Sequence, residues 1–215
     1  KLIPNIAPVI LPAELAAILA RRRAVQETGL KPEEIGVFAI VPCSSQMTTA
    51  HTPVGLTEPV LDGAFAIRDV YLKLLSPMKA LDKNHLKPLS SSGIMGVGWA
   101  YCGGESAARL NERYVAVDGI ENVIQMLEEI EDGRLPEADF IELRACTQGC
   151  VGGCLNVENP YGARMRIKRL MRELPVSRNR FDAEDEELLL VERKPEYHPA
   201  LLLDEDRAAA MEKML

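Results

Sequence analysis

The sequence has few aromatic residues and no long apolar run. Phe, Trp and Tyr make up 5% of the 215 residues, whereas hydrophobic residues as a whole make up 47%. The core must therefore be mainly aliphatic, which is common in α/β proteins with buried parallel strands. No apolar stretch approaches the roughly 18 residues that cross a bilayer, so we expect no membrane partner.

The first residues do not have the pattern of a secretory leader, and the chain has no excess of positive charge. Prolines break the first apolar stretch, and arginines follow it instead of preceding it, which is unlike a signal peptide. Five cysteines without such a leader indicate a reducing compartment, which we expect to be the cytoplasm. The formal net charge of −7 argues against nucleic acid as a partner.

Three of the cysteines lie in one glycine-rich stretch, at Cys146, Cys150 and Cys154. An apolar run at 140–143 precedes them and an Asn-Pro pair at 159–160 follows, which predicts a strand, a cysteine loop and a helix start. Glycine lets backbone N–H groups approach sulfur, and thiolates suit iron–sulfur clusters, zinc or copper(I). Structural zinc usually takes pairs such as Cys-x2-Cys, which do not occur, so zinc is the second choice.

Another cysteine follows the most continuous apolar run of the chain, residues 35–41. Such a run predicts a strand that is buried on both faces. Cys43 comes at its carboxyl end, where open α/β sheets usually place their ligand sites. His51 follows in a polar stretch, where we interpret it as a solvated histidine, with a ligand or proton carrier as the alternative.

Helical and strand patterns complete an α/β arrangement. Helices are predicted over 12–28, 65–75, 105–113, 118–133 and 159–174, further strands over 114–117 and 140–143, and irregular structure over 47–62 and 79–98. Asp118 and Glu121 have the spacing of a capping box at the start of one helix. The basic helix at 160–174 is interpreted as solvated or partner-facing. The predicted fold class is α/β, with mainly parallel twisted sheets flanked by helices.

Three motifs occur in one order: Pro-Cys at 42–43 after a strand, Cys-Gly-Gly at 102–104, and ELRACTQGC at 142–150. They resemble the C-terminal catalytic domain of iron-only (di-iron) hydrogenases, in which a Pro-Cys motif, a Thr-Gly-Gly helix start and a Glu-x-Met-Ala-Cys-x-x-Gly-Cys loop follow one another. The segment 60–75 is also similar to that family. The stretches LIPNIAPVI and VENPYGAR resemble its divergent, sensory branch.

The resemblance implies a domain over 1–174, followed by an acidic and helical extension over 175–215. That extension is similar to the segment that leads into a further cysteine-rich domain. The family's first cysteine motif should precede Lys1. We therefore expect a piece of a longer polypeptide, whose partners are its own other domains and a redox partner protein.

The resemblance also implies a four-iron cluster with four cysteine ligands. Cys43, Cys146 and Cys150 match three of them, and Cys150 matches the thiolate that also bridges to the di-iron subcluster. The fourth ligand belongs to the first motif. Cys154 stands where catalytic members have glycine, so it either supplies a substitute fourth ligand or only packs.

Four further replacements separate this chain from catalytic members. Gln46 stands where a lysine hydrogen-bonds a cyanide of the di-iron unit, and an amide cannot form a charge-assisted bond. Thr49 stands where a glutamate delivers protons, and it has no carboxylate. Cys102 replaces the threonine before Gly-Gly, where it contacts the site or is only a tolerated small residue. Arg144 replaces the methionine.

Three functions stay open. The first is an iron–sulfur module for electron transfer or hydrogen sensing, which the retained cysteines and the replacements at Gln46 and Thr49 favour. The second is a slow hydrogenase with a complete di-iron site. The third is a scaffold that has kept the fold and lost its metal.

Overall fold

The computed structural model describes residues 2–54, 56–82, 92–110, 112–135, 137–176 and 188–190. Helices α1 to α7 span Pro12–Thr28, Ser44–His51, Ile67–Ala80, Ile94–Gly98, Gly104–Ala108, Ile120–Glu131 and Pro160–Met171. Strands β1 to β4 span Phe38–Val41, Gly63–Ala66, Tyr114–Asp118 and Phe140–Arg144. Short 3-10 turns occupy Ile3–Asn5, Pro32–Glu34 and Gly149–Gly152. In this part of the chain, no helix has the length and apolar character needed to cross a membrane.

The four strands form two separate parallel pairs. β1 pairs with β2, from Phe38 opposite Gly63 to Val41 opposite Ala66. β3 pairs with β4, from Tyr114 opposite Phe140 to Asp118 opposite Arg144. A helix lies between the strands of each pair along the chain, as parallel pairing requires. The predicted α/β class with parallel sheets and flanking helices is therefore confirmed.

The first sheet is less buried than its apolar sequence predicts. Only Val41 of β1 is buried, whereas Phe38 and Ile40 are 52% and 57% exposed. The ring of Phe38 lies against that of Phe65 on β2, with centroids 5.4 Å apart. The prediction of burial on both faces is wrong, because among the described residues nothing covers this face of the two-stranded sheet.

Two boundaries around this sheet also differ from the sequence prediction. The stretch predicted as a loop over 47–62 begins inside α2, and the helix predicted from Phe65 begins only after β2. In α2 the hydroxyls of Thr48 and Thr49 donate to carbonyls one turn earlier, at 3.2 and 3.1 Å. Threonine is a weak helix former, so contacts with β1 and β2 outweigh local propensity here.

The helices that surround the second sheet also have shifted ends. Residues 94–98 form α4 although the sequence predicts irregular structure, and α5 ends at Ala108 because Leu110 adopts a left-handed φ of 55°. Gly119, not Asp118, caps α6, so the predicted capping box is wrong. The carboxylate of Asp118 instead accepts a hydrogen bond from the backbone N–H of Gln148.

The last helix follows its prediction closely. The side chain of Asn159 accepts hydrogen bonds from the backbone N–H groups of Tyr161 and Gly162, at 3.0 and 3.4 Å. This cap and Pro160 at the first position start α7. Of the extension over 175–215, the described part includes Leu190, which forms an antiparallel bridge with Val9. The acidic run and the terminal helix predicted there lie outside the described residues.

Candidate functional site

The Cys43 turn and the cysteine loop lie against each other. Cys43 stands between β1 and α2 in an extended conformation. The backbone N–H of Leu155 donates to the carbonyl of Pro42 at 2.8 Å. A Cβ atom on Gly153 would lie 2.3 Å from that same carbonyl oxygen, so only glycine permits this approach. The loop between β4 and α7 is thereby held beside the end of β1.

The sulfur of Cys150 receives two N–H donors. The side-chain amide of Gln46 on α2 lies 3.6 Å from it, and Nη1 of Arg144 at the end of β4 lies 3.7 Å from it. The side chain of Asn156 donates to the carbonyl oxygens of Cys150 and Val151, at 2.8 and 3.0 Å. The backbone of Cys150 is therefore held by Asn156, and its sulfur faces two N–H donors, one of them on a charged group.

A buried carboxylate supports this arrangement. Glu142 is 4% exposed and accepts hydrogen bonds from the backbone N–H of Gly103 at 3.1 Å and from Ser106, which is fully buried. Nε of Arg144 donates to it at 2.5 Å. Burial alone would raise the pKa of Glu142, but the bonds from Arg144 and Ser106 hold that pKa below its ordinary value. Glu142 is therefore ionised at neutral pH and anchors Arg144.

Arg144 has a second carboxylate partner. Its Nη2 lies 3.3 Å from Oε2 of Glu105, and its side chain is only 17% exposed. Burial raises the pKa of Glu105, and the charge of Arg144 opposes that rise. The sequence analysis identifies Arg144 only as the replacement of a methionine and assigns no role to Glu142. Their pairing could have been predicted from their two-residue spacing on a strand, which places both side chains on one face.

Close backbone packing joins the cysteine loop to the Cys-Gly-Gly segment. The backbone N–H of Val151 donates to the carbonyl of Ala100 at 3.0 Å. A Cβ on Gly104 would lie 1.7 Å from the carbonyl oxygen of Gly98. Gly149 has a left-handed φ of 69°, and a Cβ there would lie 3.1 Å from the backbone nitrogen of Cys102. These contacts pack the cysteine loop against the Cys-Gly-Gly segment, and the Pro42 contacts described above bring the Pro-Cys turn to the same loop.

The remaining cysteines have different environments. Burial raises the pKa of the Cys102 thiol, and the carboxylates of Glu142 and Asp118 raise it further, so this thiol stays protonated at neutral pH. Cys154 is exposed, and hydrogen bonds from the backbone and side chain of Ser44 lower the pKa of its thiol. Cys146 is also exposed. Cys154 therefore lies beside Ser44, the first residue of α2, and Ser44 directly follows Cys43 in sequence.

Two other predicted site residues point elsewhere. The hydroxyl of Thr49 donates to the carbonyl of Ser45 in its own helix. His51 is exposed at the end of α2. The geometry among the described residues thus joins Gln46 to Cys150 and leaves Thr49 and His51 outside that contact.

The candidate ligand residues can be compared with what a single metal ion and an iron–sulfur cluster each require. Within the described ranges, no three His, Cys, Asp or Glu side chains stand close enough together to hold a single metal ion. A four-iron cluster makes a different demand, because each cysteine thiolate binds a different iron. Cys43, Cys146 and Cys150 are free thiols, and Cys150 already has N–H donors on its sulfur. By donor chemistry, these residues fit an iron–sulfur cluster.

Comparison with known proteins bears on this site. Residues 66–154 match the family model described as the iron-only hydrogenase large subunit, C-terminal domain. This central stretch, less than half of the chain, is therefore similar to that domain. The matched residues include Cys102, Cys146 and Cys150 and end at Cys154, whereas Cys43 precedes them. No curated protein matches the chain.

Several solved structures of FeFe-hydrogenases have a fold similar to that of this chain. A HydA structure described for stepwise H-cluster assembly of FeFe-hydrogenase is 16% identical, with a TM-score of 0.54, and the match covers 89% of this chain and 71% of that chain. A glutamate-to-glutamine variant of HydA1 from Chlamydomonas reinhardtii is 14% identical, with the same TM-score and coverages. A structure on oxygen inactivation of FeFe-hydrogenase is 15% identical, with a TM-score of 0.51, covering 79% of this chain and 59% of that chain. At these identities the likeness describes the fold.

Proposed function

We propose that this domain binds a four-iron cluster through Cys43, Cys146 and Cys150 and acts as a redox or hydrogen-sensing module of a longer polypeptide. The observation that carries the proposal is the sulfur of Cys150, which receives donors from Gln46 and Arg144. N–H hydrogen bonds to the sulfur ligands are among the interactions by which proteins hold and tune iron–sulfur clusters. A bound cluster would supply one-electron transfer.

The chain's own residues prepare the ligand positions. Asn156 ties down the backbone of Cys150, and Gly153 lets the cysteine loop approach the turn that holds Cys43. Gln46 orients the sulfur of Cys150 without adding charge. These roles are binding and positioning, and they do not require the di-iron subcluster.

The same contacts argue against efficient hydrogen turnover. Gln46 donates to Cys150 from a neutral amide, in the position where the resemblance implies a charged lysine. Thr49 has no carboxylate, and its hydroxyl is committed to Ser45. Proton delivery at neutral pH needs a group that titrates near that pH, and threonine does not. We therefore place electron transfer or sensing before catalysis.

The test is the iron and acid-labile sulfide content of the anaerobically purified full-length polypeptide. The proposal predicts about four irons at this site, a brown colour, and their loss in Cys150→Ser. Cys102→Ser is the matched control, because it removes a thiol from the same region that the proposal does not use as a ligand.

Two other results would replace the proposal. About six irons at the site, together with infrared bands from carbon monoxide and cyanide ligands, would show a complete di-iron site and the slow hydrogenase. Iron content that does not change in Cys150→Ser would show that Cys150 is not a ligand and would overturn the proposed site, and no iron at all would leave the metal-free scaffold. For the redox role, the cluster spectrum must bleach when a chemical reductant supplies one electron and recover on reoxidation.

A further inference from the structure

We infer that Arg144 sets the reduction potential of the cluster proposed at Cys150, holding it higher than a neutral side chain at this position would. The inference rests on the proposed function, because it concerns the regulation of that same site. It makes Arg144 a positioning and tuning residue, not a ligand.

The geometry of the guanidinium group is the first step. Three different nitrogens of Arg144 face three different partners: Nε faces Glu142 at 2.5 Å, Nη1 faces the sulfur of Cys150 at 3.7 Å, and Nη2 faces Glu105 at 3.3 Å. The planar fork is therefore held on all sides. An arginine fixed in this way keeps its charge at one distance from the sulfur.

The buried position of the group is the second step. The side chain of Arg144 is 17% exposed and that of Glu142 is 2% exposed, so solvent screens their charges less than it screens surface charges. Strand β4 projects both side chains to one face because they are two residues apart. The cation thus belongs to the rigid part of the fold and not to a mobile surface chain.

The effect on a cluster follows from electrostatics. Reduction adds one negative charge to a cluster, and hydrogen bonds and charges near its sulfur ligands set its potential. A cation beside Cys150 stabilises the reduced form more than the oxidised form. The carboxylates of Glu142 and Glu105 offset part of this effect, but of these three charged groups it is the guanidinium that donates to the sulfur.

A purely structural role is the competing explanation, in which Arg144 only neutralises Glu142. The two explanations differ in what they predict for the cluster. A structural ion pair would change stability and leave the potential of a retained cluster unchanged. A tuning residue would change the potential even where the iron content and the fold are unchanged.

The experiment is a potentiometric titration of the anaerobic full-length protein, followed by visible and electron paramagnetic resonance spectra. Arg144→Gln should shift the midpoint potential to more negative values by at least about 59 mV. For one electron, that shift is a tenfold change in the ratio of reduced to oxidised cluster. Arg144→Lys should shift it less. Arg134→Gln is the matched control, because that arginine pairs with Glu129 on the exposed end of α6.

A second variant keeps the test decisive if Arg144→Gln loses its cluster. Glu105→Gln removes a negative charge next to Arg144 without touching Cys150, and it should shift the midpoint to more positive values. An iron-loaded Arg144→Gln protein with the wild-type midpoint would overturn the inference, as would an unchanged midpoint in Glu105→Gln. Absence of iron from the wild-type protein would instead overturn the proposed function, so the two failures are distinguishable.

Discussion

Glu142 accepts two hydrogen bonds from Ser106, one from its backbone N–H at 2.9 Å and one from its hydroxyl at 2.8 Å. The two residues lie on β4 and α5, and both are buried. The carboxylate therefore satisfies backbone donors at the start of α5 while it holds Arg144 on its other side. One side chain links the Cys-Gly-Gly segment to the strand that leads into the cysteine loop.

Glu142→Gln should lower the free energy of unfolding by about 3 kcal/mol, because it leaves the partly buried charge of Arg144 without its main partner. Urea denaturation at pH 7 would measure this change. Glu129→Gln removes a carboxylate that also pairs with an arginine, but at an exposed site, and should cost much less than Glu142→Gln does. Equal losses in the two variants would show that the burial of Glu142 does not matter.

The stability difference between wild type and Glu142→Gln should depend on pH. The pKa of Glu142 is lowered in the folded protein, so its contribution is fully present above the unfolded pKa and is lost as the pH falls through the folded pKa. The two unfolding free energies should therefore converge as the pH falls below about 4. Denaturation series from pH 7 to pH 3 would measure this, and a gap that stays constant would contradict the lowered pKa.

Two glycines eight residues apart in sequence, Gly96 and Gly104, should respond oppositely to alanine. Gly104→Ala places a Cβ atom 1.7 Å from the carbonyl oxygen of Gly98 and should destabilise the fold by roughly 3 kcal/mol or more. Gly96→Ala, in α4, meets nothing within 4 Å and should stabilise the fold by about 0.5 to 1 kcal/mol. Thermal unfolding of both variants tests the packing of α4 against α5, and it would be contradicted if Gly104→Ala unfolds like wild type.

The cysteines should differ in their rates of alkylation in the metal-free protein. Hydrogen bonds from Ser44 lower the pKa of exposed Cys154, whereas burial and nearby carboxylates raise the pKa of Cys102. Because the thiolate is the nucleophile, Cys154 should react with iodoacetamide at pH 7.5 faster than Cys102 by at least about an order of magnitude. Mass spectrometry of the two peptides at limiting reagent would measure both rates.

The pH dependence of alkylation provides the control. Raising the pH should increase the rate at Cys102 more than at Cys154, since a larger fraction of the Cys102 thiol is still protonated at pH 7.5. Unfolding in urea should bring the two rates close together, because both pKa shifts arise from the folded environment. Similar rates in the folded protein at pH 7.5 would show that Ser44 and the burial of Cys102 have no influence.

Long periodic or capped segments were predictable from the sequence. The helix over Pro12–Thr28 is confirmed at both ends, with proline at its start and Gly29 in the left-handed conformation after its end. The start of α7 is also confirmed, because Asn159 caps the helix and Pro160 occupies its first position. In each case residues at the helix end itself hold the backbone conformation, so no distant contact is needed.

Elements that depend on distant partners were not predictable. The strand β2 contains only small residues and one phenylalanine, and it exists because β1 pairs with it. The helix α2 forms beside the same sheet in a threonine-rich stretch. Asp118 has the spacing of a helix cap, but its carboxylate accepts a hydrogen bond from the backbone N–H of Gln148 and does not cap α6. Tertiary contacts outweighed local preference at each of these positions.

The sequence by itself determined the α/β class, the ordered cysteine motifs and the family resemblance, because strand runs, glycine spacing and cysteine positions are local properties of the chain. Only the tertiary structure decided that Gln46 and Arg144 meet at the sulfur of Cys150 and that Glu142 holds the arginine there. These groups lie up to 104 residues apart in sequence. Their contacts depend on how two separate parallel strand pairs and the loop between β4 and α7 pack together, and no local pattern encodes such a distance.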